Sequence, residues 1–304
     1  MASAVVVADE VRTALEGGVA IVALETSVIG QGLPSPRNEE CIRRMSTAIR
    51  MAGAVPGWVG ALDGHVTVGL DDGELARFLE PGAATKVARR DLPVAVATRA
   101  LGATTVSATI WAAARAGVDV AATGGIGGVH RGGDRDVSAD LLELARTPGM
   151  LVCSGPKSII DPVATAEKLE ELSVAIVGYG VDRLPFFLAS ETPVELEHRV
   201  DGPAEAASML DASLGLGSDS TLLVCNPVPR ALAMPADEVA VAAAEAERRA
   251  DAAGVEGKAR TPYLLAVLAE LTDGRSLEAN LGLLEDNARV AAEIAVARAV
   301  TAGA

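Results

Sequence analysis

Short apolar runs alternate along the chain with helix-length amphipathic segments. The runs at 19–24, 94–97, 118–122, 150–153, 174–177 and 221–225 have strand length, and their alternation with helical segments predicts an α/β protein with a mostly parallel sheet. Thr104 or Thr105 is placed to cap a helix that stops at Gly117, and Asp161 followed by Pro162 supplies an N-cap and a first-turn proline for the helix up to Leu172. Thr261 and Pro262 repeat that pairing. Residues 59–62 and 65–68 flank Asp63-Gly64, a two-residue hairpin signal. From Pro235 onward the pattern is Ala-rich helix, broken at 254–257 and at Asp273-Gly274. No repeat, low-complexity tract or linker divides the chain, which predicts a single domain over 1–304 with a helical C-terminal third.

Apolar residues make up 50% of the 304 and charged residues 22%, which excludes a disordered chain. Aromatics are 2%, so the core must be built from Ala, Val, Leu and Ile. Lys and Arg number 26 against 41 Asp and Glu, for a net charge of −15. So acidic a surface, without a strong basic patch, repels phosphate backbones and argues against nucleic-acid binding. Cys41, Cys153 and Cys225 are odd in number and widely spaced, which fits buried thiols in a reducing compartment better than a disulfide framework. Residues 1–15 lack the basic-then-apolar order of a signal peptide. No stretch reaches the roughly 18 uninterrupted apolar residues that span a bilayer. The expectation is a soluble cytoplasmic protein with small-molecule partners.

Ligands of open α/β sheets collect beyond the carboxyl ends of the strands, so polar residues just after the apolar runs are the candidates for chemistry. Glu25 ends the first run ahead of Thr26, Ser27 and the glycines at 30 and 32. A carboxylate there is placed to act as a general acid, or equally to pair with a core arginine. After the run 118–122 comes Thr123 and a loop with six glycines around His130 and Arg131, suited to approach an anion. Its frame is no dinucleotide fingerprint, because His130 stands where the third glycine belongs. Asp134, Asp136 and Asp140 surround Ser138, a helix cap. Such a set suits a hard divalent ion that keeps most of its waters, or merely complements the helix dipole. Lys157 lies between apolar stretches, where a lysine near another cation or a helix N-terminus has the lowered pKa that imine chemistry requires, although most lysines are solvated charges. Lys86, with Arg89 and Arg90, forms the one local basic cluster and suits a phosphate or a solvated turn. His65 and His198 read as surface residues, and the serine-hydrolase, P-loop, zincin and Cys-x-x-Cys signatures are absent.

Together these stretches resemble the pseudouridine-5'-phosphate glycosidase family, also called indigoidine synthase A-like. The matching segments are Ala23-Leu24-Glu25, 86–92, 122–131, 136–146, 157–161, Gly178-Tyr179-Gly180 and 261–280. The resemblance implies a three-layer α/β/α fold, a homotrimer, a divalent cation, usually Mn2+, and reversible cleavage of a C-glycosidic bond to ribose 5-phosphate and uracil. It assigns the imine to Lys157 and the proton on the departing carbon to Glu25. It makes Asp136 the metal ligand and places Lys86, Val106, Thr123, His130, Ser138, Ala139, Asp140 and Asn280 at the substrate. The chemistry is coherent, since a C–C bond to a sugar offers no leaving oxygen to protonate and two-carboxylate hydrolysis cannot cleave it.

The chain departs from the family pattern around the aglycone. Gln31 replaces a histidine, and Trp58, Phe186 and Phe187 add aromatic surface. These departures resemble biosynthetic relatives such as the alnumycin C-ribosyl synthase, which implies an alternative: joining ribose 5-phosphate to an aromatic polyketide. A non-catalytic sugar-phosphate sensor and a nicotinamide-dependent oxidoreductase are the rivals from other classes.

Overall fold

In the computed structural model, which describes residues 5–131 and 136–302, the apolar runs become the centre of one sheet. The strands are β1 (Val5–Val7), β2 (Ile21–Glu25), β3 (Val55–Leu62), β4 (His65–Val68), β5 (Thr85–Val87), β6 (Gly102–Thr104), β7 (Val120–Ala122), β8 (Gly149–Cys153), β9 (Ile176–Tyr179), β10 (His198–Val200) and β11 (Thr221–Cys225). Their order is β1-β4-β3-β2-β7-β8-β11-β9-β10, with β6 pairing β3 and β5. Only β3 with β4 and β3 with β6 run antiparallel among the described residues. The β3–β4 hairpin turns on Asp63 and Gly64, both at positive φ, as a two-residue loop requires.

The helices are α1 (Asp9–Glu16), α2 (Arg37–Met51), α3 (Asp72–Leu79), α4 (Leu92–Thr98), α5 (Val106–Ala116), α6 (Ala139–Leu144), α7 (Pro162–Glu171), α8 (Pro203–Gly215), α9 (Ala236–Ala252), α10 (Arg260–Leu271) and α11 (Arg275–Ala302). Alternation along the strands sends side chains to opposite faces. Val22 and Leu24 of β2, Ala122 of β7 and Val152 of β8 pack with Met45 of α2, Leu210 of α8 and Leu284 of α11. Ile21, Ala23, Ala121 and Leu151 pack on the other face with Val11 of α1, Ala112 of α5, Leu141 of α6 and Leu169 of α7. The result is helices on both sides of a mostly parallel sheet, the three-layer arrangement expected. A smaller cluster joins Ile159 and Ile160 to Ala246 of α9 and Leu264 of α10. Cys41, Cys153 and Cys225 are free and buried. Among the described residues no helix is long and apolar enough to cross a membrane.

Two expectations fail locally. Residues 94–97 lie in α4, where Leu92 and Ala95 are buried and Val94 is 64% exposed; an apolar run this short does not distinguish strand from helix. Thr261 does not cap α10, because a single 3₁₀ turn at Gly257–Ala259 leads into it and Ala259 takes the cap position. Pro262 still falls within the first turn, where a missing N–H costs nothing.

α11 crosses the ends of the central strands and is tied to them by Asn287, which is fully buried. Its amide donates to Thr123 O at 2.9 Å and Ser154 Oγ at 3.1 Å, and its oxygen accepts from Asn226 Nδ2 at 3.0 Å. One side chain therefore clasps the residues that follow β7, β8 and β11. Asn287→Ala should lower the unfolding free energy by about 2–3 kcal/mol, because it strands several buried polar groups at once. Equilibrium denaturation measures this, and a loss below about 0.5 kcal/mol, the size of a neutral surface change, would contradict the role.

Candidate active site

The carboxyl ends of β2, β7 and β8 open on a cavity of about 280 Å³. Glu25, the last residue of β2, is 5% exposed and lines it. Its carboxylate accepts from the Thr123 hydroxyl and, at 2.6 Å, from Ser27 Oγ. Thr26 turns the opposite way, donating to Val59 O at 2.8 Å and accepting from Thr104 N at 3.0 Å. Strand alternation thus delivers Glu25 to the cavity, and no arginine or lysine pairs with it among the described residues. The carboxylate is therefore buried and held by hydroxyls.

The glycine-rich loop after β7 pairs with the loop after β8. Ile126 N donates to Gly155 O, and Lys157 N to Ile126 O, both at 3.1 Å. Its glycines are there for close packing. A Cβ on Gly127 would lie 2.4 Å from Ser138 Oγ, and one on Gly128 would lie 2.3 Å from Thr165 Oγ1. Several of its N–H groups are already engaged: Gly127 donates to Asp140 Oδ2 and Val129 to Thr165 Oγ1, each at 3.0 Å. The open anion cradle read from its composition is therefore largely occupied by the protein itself. Gly132, Gly133 and Asp134 lie outside the described residues.

Asp140 is 6% exposed and divides its carboxylate between Ser107 N and Gly127 N, each at 3.0 Å. It locks the N-termini of α5 and α6 against the loop, while Ser138 caps α6 by accepting from Asp140 N at 3.2 Å. Ser138, Ala139 and Asp140 all line the cavity, with Asp136 exposed at its rim. His130 N donates to Asp136 O at 3.0 Å, and His130 Nδ1 is buried without a partner. Burial holds the imidazole pKa below its ordinary value, against the opposing pull of Asp136 and Glu247. No cluster of three His, Cys, Asp or Glu suited to a metal occurs among the described residues.

Lys157 and Lys86 are half-buried and share the cavity. Burial and then the positive charge of Lys157 lower the Lys86 pKa, with Asp140 and Glu25 opposing. Arg90 and Lys258 complete a cationic wall. Lys258 is placed by donating to Asp91 Oδ2 at 2.8 Å and to Lys86 O at 3.1 Å. Arg89 of the same basic cluster turns away to Glu143, a fully buried carboxylate, at 2.6 Å.

Asn280 of α11 is 7% exposed, lines the cavity, and its side-chain amide has no hydrogen-bond partner among the described residues. Val106, the first residue of α5, is 2% exposed and does not line the cavity, whereas Thr105 just before it does. Of the aglycone-side departures, Gln31 and Phe187 line the cavity. Gln31 Nε2 donates to Ala84 O at 3.1 Å, and its Oε1 is buried and unpartnered. Trp58 and Phe186 do not line the cavity and lie in the same core cluster as Phe187, 2% and 6% exposed, and Trp58 Nε1 donates to Ser46 Oγ at 3.0 Å. His65 and His198 are exposed, as expected. Lys258 and Asn287 escaped the sequence reading: the first directly follows what reads only as a helix break at 254–257, the second lies in an unbroken helical pattern.

Comparisons with known proteins find relatives along nearly the whole chain. Residues 10–297 match the family described as indigoidine synthase A-like protein. A protein of Gemmatimonas aurantiaca named pseudouridine-5'-phosphate glycosidase is 50% identical, with 93% of each chain covered. A Myxococcus xanthus protein of the same name is 46% identical over 96% of this chain and 97% of its own. Among solved structures, an indigoidine synthase A-like protein of Thermotoga maritima superposes with a TM-score of 0.89 at 38% identity, covering 97% of both chains. The prealnumycin C-glycosynthase AlnA, in complex with ribulose 5-phosphate, gives the same TM-score and identity over 98% of both. A carboxylate, two lysines and a cationic wall gathered at the ends of these strands, in a chain so similar along its whole length, place it in the indigoidine synthase A-like family that includes the pseudouridine-5'-phosphate glycosidases.

Proposed function

We propose that the chain reversibly cleaves the C1'–C5 bond of pseudouridine 5'-phosphate, giving uracil and ribose 5-phosphate. The observation that carries this reading is the convergence of Glu25, Lys157 and Lys86 on one cavity. Lys86, Arg90 and Lys258 bind the phosphate. The Lys157 amine attacks C1' and displaces the ring oxygen, which takes up a proton as the ribose opens. The nitrogen lone pair then expels C5 of the base, leaving a C1'=N iminium, and Glu25 supplies the proton that C5 requires. Water hydrolyses the iminium, releasing ribose 5-phosphate and the amine. Thr123 and Ser27 hold the Glu25 carboxylate in place throughout.

The rim fits a divalent ion such as Mn2+ only in a hydrated form. Asp136 offers one exposed carboxylate, and both oxygens of Asp140 are engaged by backbone N–H groups. Hard divalent ions keep several waters in such sites. Asp136 would hold the ion, which when bound supplies positive charge beside the sugar phosphate; retention of Mn2+ through dialysis, lost in Asp136→Ala, is its check. The same reading takes the enzyme as cytoplasmic, supported by its reduced, buried cysteines, and as a homotrimer by family resemblance alone. The biosynthetic alternative, an aromatic polyketide as acceptor, keeps support from the AlnA likeness and from Gln31 and Phe187. It loses Trp58 and Phe186, which are core residues that do not line the cavity.

Ribose 5-phosphate with borohydride should add one reduced sugar-phosphate mass to the peptide carrying Lys157, and none in Lys157→Ala. A label on Lys86 would exchange the roles of the two amines, and no label at all would favour a sensor that binds without reacting.

Glu25→Gln should slow uracil release by about 10²–10⁴, the usual worth of general acid catalysis, while the Lys157 adduct with ribose 5-phosphate still forms. Turnover at the parental rate would remove Glu25 from proton transfer.

A further inference from the structure

A second cavity, of about 540 Å³, adjoins the reaction cavity. Gln31, Phe187, Leu265 and Asn280 belong to the walls of both. Beyond them the second cavity is walled by leucines among small residues and prolines, with Leu33 at 6% exposure, Leu188 and Leu268 at 1%, and Leu79 and Leu277 half-buried. Its own amide, Asn38, is occupied, donating to Ile29 O and Leu79 O at 3.3 Å. Beside the Ser35 and Ser276 hydroxyls on its wall, two unspent carboxamide groups sit at the junction: Gln31 Oε1, buried without a partner, and the unbonded side-chain amide of Asn280. Passing outward from Glu25 and Lys157, the lining therefore runs from acid–base groups, past the Gln31 oxygen and the Asn280 amide, to mainly apolar surface.

That succession has the chemistry of a heterocycle whose polar edge meets the amides and whose substituent is apolar. We propose that the second cavity is an aglycone subsite, and that the enzyme ribosylates uracils bearing a short alkyl group on N1. The proposal rests on the glycosidase reading above. With C5 at Glu25 and C1', the edge opposite C5, which carries N1, C2 and N3, faces the junction. An alkyl group on N1 leaves intact the push of the N1 lone pair through C6 that makes C5 nucleophilic. Imine formation between ribose 5-phosphate and Lys157 releases water. C5 then adds its electron pair to C1', its proton passes to Glu25, and the sugar's ring oxygen displaces the Lys157 nitrogen, which recovers a proton.

The test is synthesis from ribose 5-phosphate with uracil or 1-propyluracil, in the parent and in Ala269→Phe. Ala269 of α10 borders the second cavity and not the first. The parent should use 1-propyluracil within about tenfold of uracil in kcat/KM, and the filled variant should lose about tenfold or more on 1-propyluracil alone, in line with what one or two methylenes are worth in a pocket. Ala266→Trp, at the same wall, is the second variant should the first fold poorly. Turnover of uracil with rejection of 1-propyluracil would overturn the subsite. So would equal losses on both substrates, or a changed oligomeric state in the filled variants, which would mark the cavity as covered by a second copy. Failure with both substrates in the folded parent would overturn the glycosidase reading, and the subsite with it.

Discussion

The site depends on the parallel pairing of β2, β7, β8 and β11. Parallel neighbours end together, so Glu25, Thr123, Ser154 and Asn226, each the last residue of a run or the first beyond it, arrive at one edge of the sheet. The backbone groups that leave the ladders there need partners. Asn287 supplies one to Thr123 O and Gly124 O from α11 and at the same time fixes Thr123, the residue that holds Glu25. Packing, polar satisfaction and placement of the acid are one arrangement.

The carboxylates around the cavity have divided their work by partner. Asp140 spends both oxygens on backbone N–H groups and acts as a brace. Glu143, fully buried, pairs with Arg89 and Arg146 and accepts from Thr147, fastening the basic segment that carries Lys86 and Arg90. Glu25 alone among these three meets only hydroxyls. The glycine-rich loop follows the same logic: its missing side chains let α6 and α7 approach closely enough for Asp140 and Thr165 to reach its N–H groups.

Much of this was legible in the chain. The runs that became β2, β7, β8 and β11 are buried on both faces and read as continuous apolar stretches. Asp161 caps α7 as its Asp-Pro pairing predicts, with its carboxylate accepting from Val163 N and Ala164 N at 3.0 Å. Less legible were β1, β5, β6 and β10, three residues each, too short to show a period. The first half of β3 was hidden by Pro56 and Gly57, whereas its half at 59–62 was legible from the hairpin signal. Among the candidate residues, those whose role comes from local sequence, such as Glu25 at a strand end, were readable. Lys258 and Asn287 reach the site from segments more than a hundred residues away in the chain, and no local pattern announces such contacts. Trp58 erred in the other direction: an unusual residue in a family position proved to be core.

The most direct measurement is the release of uracil, followed by ultraviolet absorbance, when pseudouridine 5'-phosphate is added to the folded protein supplied with Mn2+. The account predicts uracil and ribose 5-phosphate in equal amounts, approached from either direction to the same equilibrium. A protein that binds the nucleotide but frees no uracil would contradict it.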